Sequence, residues 1–85
     1  MNIYKVIWFD AAGGGNIGWR PLDDLVKTKP AQVISCGIKL HEDAISITIC
    51  PHIILDEDNK IEQGDAEIVI PKQWVLECQI IHSHP

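Results

Sequence analysis

Residues 66–81, AEIVIPKQWVLECQII, constrain the fold more than any other stretch of this chain. Ile68 and Ile70 alternate with Glu67 and Val69, the period of two that marks an extended strand. Pro71 then ends the ladder, because it has no N–H to donate. Lys72, Gln73 and Trp74 are enough for one tight turn, which predicts a single 3-10 turn. Leu76, Cys78 and Ile80 alternate with Glu77 and Gln79 to give a last strand. A strand, one 3-10 turn and a closing strand is the arrangement that ends small five-stranded barrels.

The rest of the chain supplies the other strands. Residues 3–9 are apolar on both faces, with Tyr4, Val6 and Trp8 on one and Ile3, Ile7 and Phe9 on the other. Such a strand is central, or covered on its outer side. Residues 10–18 form a loop, and Pro21 opens a short helix over residues 21–27. Asp23 and Asp24 fall in its first turn and Lys27 and Lys29 at its end, in keeping with the helix dipole. Leu22, Leu25 and Val26 give it one apolar stripe. Residues 32–40 and 44–50 read as a hairpin with Glu42-Asp43 at its tip, or a four-residue loop over 41–44. In that register Leu40 opposes Ile45, Ile38 opposes Ile47 and Cys36 opposes Ile49, so every inward residue meets another. His52–Leu55 continues the third strand past Pro51. Residues 56–60 and 63–65 are turns, with brief pairing over 61–63 between them. The pattern predicts a mainly β chain: one domain over residues 1–85, a small five-stranded, partly open SH3-like barrel with one short helix and a 3-10 turn before the last strand. The competing arrangement is an α+β domain with the helix capping one sheet.

Composition excludes several classes. Twelve acids against seven bases give a net charge of −5, which disfavours general nucleic-acid binding. With 46% hydrophobic and 22% charged residues, the chain has the balance of a folded globular domain. No apolar run approaches the roughly 20 residues that span a bilayer, and the first residues lack a signal-peptide pattern. These features predict a cytoplasmic protein away from membranes. Cys36, Cys50 and Cys78 are odd in number and each lies in an apolar strand pattern, so they read as reduced core residues without a CxxC metal pair.

Two loops carry chemistry worth weighing. Gly13, Gly14, Gly15, Asn16, Ile17 and Gly18 match G-x-G-x-x-G after a strand. Trp19, Arg20 and Pro21 delay the helix, so its N-terminus does not face a pyrophosphate as a dinucleotide fold requires. The free N–H groups of Gly13, Gly14, Gly15 and Asn16 beside Arg20 and Trp19 could still hold a phosphate and stack a base. The plainer reading folds Trp19 over the barrel mouth and pairs Arg20 with Asp23 or Asp24. Asp56-x-Asp58-x-Lys60 starts like a calcium loop and fails at Lys60 and Ile61, leaving a solvated acidic turn. Cys78, His82 and His84 share a face in an extended chain, but a frayed end accounts for them better than zinc. Ser35 and Ser46 have no evident His and acid partner. The sequence therefore predicts neither a cofactor nor a catalytic site.

Trp8-x-Asp10, Gly18-Trp19, Ser35-x-Gly37 and Ile68-Val69-Ile70-Pro71 occur in order with short spacers. In this the chain resembles a group of small accessory proteins of tailed bacteriophages. The resemblance implies a phage source, a non-enzymatic role and a host-cell setting, and it transfers no site residues. The leading expectation is a binding module that engages or inhibits a host or anti-phage-defence protein. The alternatives are a protein that sequesters a small signalling nucleotide through Gly13–Gly15, Asn16, Trp19 and Arg20, and a structural or assembly component of the virion. Edge strands make a homodimer the natural oligomer.

Overall fold

A computed structural model describes residues 1–13 and 18–85. Seven strands, one short helix and one 3-10 turn follow in order: β1 (Asn2–Asp10), α1 (Leu22–Leu25), β2 (Ala31–Glu42), β3 (Ser46–Cys50), β4 (His52–Leu55), β5 (Ile61–Asp65), β6 (Ile68–Pro71), the 3-10 turn (Lys72–Trp74) and β7 (Val75–Ser83). Five strands make one antiparallel sheet in the order β6-β3-β2-β1-β7, and β4 and β5 form a separate two-stranded ladder. The chain is mainly β, as its periodicity predicts, and the 3-10 turn sits where Pro71 sets it.

The expected barrel is not closed. β6 and β7 are the two free edges of an open sheet, with no ladder between them. Pro71, the last residue of β6, has no N–H to donate to such a ladder. The core forms on one face of the sheet. Val6, Trp8, Ile47, Ile49 and Ile70 are buried there, flanked by Tyr4, Val33, Ile68 and Val75. Each such aliphatic side chain contributes about 1.5–3 kcal/mol by leaving water. β1 is paired on both sides, by β2 and β7.

The face of β2 is opposite to the expected one. Ile34 is 62% exposed, Cys36 and Leu40 are exposed, and Val33, Ser35 and Gly37 point to the core side. The reason is space. β2 pairs with β1 over its first part and with β3 over its last, and a Cβ on Gly37 would lie 2.5 Å from the Cys50 carbonyl oxygen. Only small residues fit inside that crossing. Ser35 completes it by accepting a hydrogen bond from Trp8 Nε1 at 3.1 Å. The register also differs, with Ile38 opposite Cys50, Lys39 opposite Ile49, His41 opposite Thr48, and an irregularity at Leu40. The hairpin tip is Asp43, Ala44 and Ile45. Asp43 Oδ1 accepts from the N–H groups of Ile45 (2.9 Å) and Ser46 (2.8 Å), an Asx turn that starts β3 at Ser46 rather than Ala44.

Residues 63–65 are not a turn: they belong to β5, and the reversal comes at Ala66, whose φ is 63°. Asp56 Oδ1 accepts from Asp58 and Lys60 N–H (2.8 and 2.9 Å), so the acidic stretch builds the β4–β5 turn with its own carboxylate. Cys50 alone of the three cysteines is buried, its thiol within reach of the carbonyls of His52 (3.1 Å) and Asp65 (3.2 Å); Cys36 and Cys78 are exposed, against expectation. The expected frayed end is also absent. β7 runs to Ser83, and His84 and Met1 exchange backbone hydrogen bonds of 2.7 and 2.8 Å.

Candidate functional site

The β1–β2 connection leaves the sheet at Asp10 and returns at Ala31, residues that oppose each other across the ladder. Both ends therefore sit at one rim. The 3-10 turn delivers Trp74 to the same rim, since Val75 pairs with Trp8. Phe9, Asp10, Ala11, Pro30 and Trp74 line a groove of about 280 Å³ there. Its walls are mostly apolar.

The connection itself is uncovered. Trp19 has 104% of its reference exposure, and Leu22, Leu25 and Val26 are exposed as well, Leu22 at 72%. The apolar stripe that the sequence places on the helix is present and lies outside the core cluster, largely exposed. The helix is shorter than expected: Pro21 (φ −59°, ψ 149°) stands outside it as the cap, and Lys27 and Lys29 fall beyond its last turn. Leu25 N–H and Val26 N–H are bonded to Pro21 O and Leu22 O at 3.2 and 3.1 Å, about one turn of helix. Four residues gain little from cooperativity, so this turn holds a shape only weakly by itself.

Of the residues singled out in the glycine-rich stretch, Gly14, Gly15 and Asn16 lie outside the described residues. Gly13 has open space around it, and Gly18 adopts φ 123°, which side-chain-bearing residues rarely adopt. Trp19 does not fold over the core. Arg20 makes no ion pair with Asp23 or Asp24 among the described residues, and its Nε is buried without a partner among them.

Elsewhere the polar groups serve structure. Glu42 bridges Lys39 and Lys72, each at 2.8 Å, and these two ammonium groups hold its carboxyl down to about 2. Lys39 also lies 4.5 Å from the centre of the Tyr4 ring, and its bond to Glu42 raises its pKa. The backbone N–H groups of Ile45 and Ser46 lower that of Asp43. His41, Asp43 and Ser46 do come together: His41 Nε2 is 3.5 Å from Asp43 Oδ2, and Ser46 Oγ is 3.2 Å from Asp43 Oδ1. The acid stands between the other two, so His41 has no bond to the serine hydroxyl it would need to deprotonate, and the trio lacks triad order. Ser35 is committed to Trp8. Among the described residues, no group of three metal-ligating side chains converges. No described helix is long and apolar enough to cross a membrane.

The groove residues Phe9 and Trp74 were not distinguishable as a pair in the sequence. The only signal was positional: one ends the first strand, the other precedes the last. No family model matches the chain, and neither a curated protein nor a solved structure matches it.

Proposed function

We propose that this chain is a non-enzymatic binding module whose β1–β2 connection presents an apolar arm to a protein partner. The observation that carries the reading is the full exposure of Trp19 together with Leu22, Leu25 and Val26 on one short connection. A folded chain gains nothing by leaving four such side chains in water, whereas an interface gains from each one it covers. Tryptophan is the residue type most enriched among interface hot spots, where truncation costs about 2 kcal/mol or more. The groove between Phe9 and Trp74 at the root of the arm supplies a second contact. Asp10, Asp23 and Asp24 flank these surfaces, and the net charge is −5, so the matching partner has an apolar recess with a basic rim.

The strand order β6-β3-β2-β1-β7, with one 3-10 turn joining the two edge strands, supports an SH3-like sheet as its framework. The Trp8, Gly18-Trp19, Ser35-x-Gly37 and Ile70-Pro71 motifs support a place among small tailed-phage accessory proteins, for which a host or defence protein is the natural partner. Affinity capture from bacterial lysate at physiological salt tests the reading, with Trp19→Ala beside the native chain. A discrete protein recovered by the native chain and lost with Trp19→Ala supports it. Recovery of nothing, or equal recovery by both, refutes it.

A second reading draws on Arg20. Its Nε, without a partner among the described residues, and the exposed ring of the preceding Trp19 would suit the phosphate and base of a small nucleotide. Calorimetry against a panel of cyclic and linear dinucleotides decides it. Binding heat abolished by Arg20→Ala favours this reading, and absence of heat excludes it.

A further inference from the structure

We propose that β7 is a self-pairing edge: two copies of this chain join through antiparallel β7 strands into one continuous ten-stranded sheet. This interface is separate from the arm on the β1–β2 connection.

The two edges of the sheet are unequal. β6 has four residues and ends in Pro71, followed by Lys72, the devices that keep an edge from pairing. β7 has nine residues, no proline, and Glu77 as its one carboxylate. Leu76 is 55% and Ile80 50% exposed, and Ile81 is exposed too. Only its β1 side is paired. Its irregularities sit at Leu76 and Ile81, and between them residues 77–80 run in regular register against Ile7, Val6, Lys5 and Tyr4. An unpaired edge with a regular run and no proline is the template that a further strand joins.

Side-chain pairing across the edge and area point to a second copy as the occupant. A two-fold axis perpendicular to the sheet places one residue opposite its own counterpart. Near the middle of the regular run that residue is Cys78 or Gln79. With Cys78 on the axis, Glu77 faces Gln79 of the second copy; with Gln79 on the axis, it faces Ile81. Neither register sets Glu77 against itself, so the edge is self-complementary. The accessible surface is 6466 Å², against about 5,000 Å² for a folded monomer of this mass. The radius of gyration is 17.0 Å, against about 12 Å for a compact chain of this length. The surplus of about 1,400 Å² exceeds the roughly 800 Å² that each partner buries in a standard interface. It therefore leaves room for both the arm and the edge.

Light scattering coupled to gel filtration tests the proposal on the full chain, up to about 200 µM. The expected mass is twice 9.5 kDa, moving toward 9.5 kDa on dilution. Leu76→Lys with Ile80→Lys places charge on the edge at two exposed positions. This variant is expected to be monomeric at every concentration, with unchanged circular dichroism. Hydrogen exchange gives a second readout, with residues 77–80 gaining protection as the native chain is concentrated. A native chain that stays at 9.5 kDa overturns the proposal. So does a dimer that survives the double substitution, or concentration-dependent protection elsewhere than β7.

Discussion

Replacing Gly37 by alanine probes the tightest point of the fold. Gly37 does not have a positive φ, so its role is not backbone conformation. Its role is room: the added methyl would stand 2.5 Å from the Cys50 carbonyl oxygen, 2.7 Å from its carbon and 2.9 Å from Ile49 Cγ2. Two of those three atoms are backbone and cannot step aside by changing rotamer. The strands β2 and β3 must separate, and Ile49 is a fully buried core residue. Overpacking of this kind costs about 1–3 kcal/mol, and a backbone obstacle belongs at or above the upper end. At roughly 4–8 °C per kcal/mol for a domain of this size, a loss of about 3 kcal/mol lowers Tm by about 12–24 °C. Gly64→Ala is the matched control. Its nearest neighbour is a side-chain atom, Cys50 Sγ at 3.0 Å, and the expected cost is about 1 kcal/mol. Thermal melts by circular dichroism measure both. If Gly37→Ala lowers Tm no more than Gly64→Ala does, the crossing is not the constraint described.

Three further outcomes follow from the same geometry. Ile70→Ala opens a cavity at a fully buried site and should cost about 2–5 kcal/mol, whereas Val69→Ala, on the exposed side of the same strand, should cost under about 1 kcal/mol in urea titrations. Glu42 titrates at about 2 in the folded chain, below its ordinary 4.5, so its stabilising contribution is complete above pH 4.5 and disappears as pH falls toward 2; the Tm gap between the native chain and Glu42→Gln should narrow across that window, and a gap that widens would contradict the bridge to Lys39 and Lys72. Trp19→Ala should leave stability within about 0.5 kcal/mol while weakening partner binding about 30-fold or more, a split that a core role for Trp19 could not produce.

The sequence was most legible where backbone chemistry dictates the outcome. Pro71 ended β6 and started the 3-10 turn as its missing N–H requires. Val6 and Trp8 were paired on one face of a central strand by simple alternation. On β2, apolarity is a poor guide to burial. Ile34, Cys36, Ile38 and Leu40 form the more apolar set, but the inner side of a tight crossing admits only Val33, Ser35 and Gly37. Ser35-x-Gly37 was already visible as a motif, and its meaning is steric: a hydroxyl for Trp8 and no side chain against Cys50. Of the motif residues, Trp8, Ser35, Gly37 and Ile70 build the crossing and the core, whereas Asp10 lines the groove and Trp19 stands exposed on the connection. Trp74 meets Phe9 only through the β1–β7 register, which includes an irregularity at Leu76 that no periodicity encodes. Leu22, Leu25 and Val26 are legible as a stripe, and their exposure is not, because a stripe specifies a face and not what covers it.

Photo-crosslinking from position 19 tests the account most directly. A chain carrying benzoylphenylalanine in place of Trp19 is compared with one carrying it in place of Glu57, on the exposed β4–β5 turn, each in bacterial lysate at physiological salt. The account predicts one discrete protein adduct from position 19 and none from position 57. No adduct from position 19, or the same adducts from both positions, would contradict it.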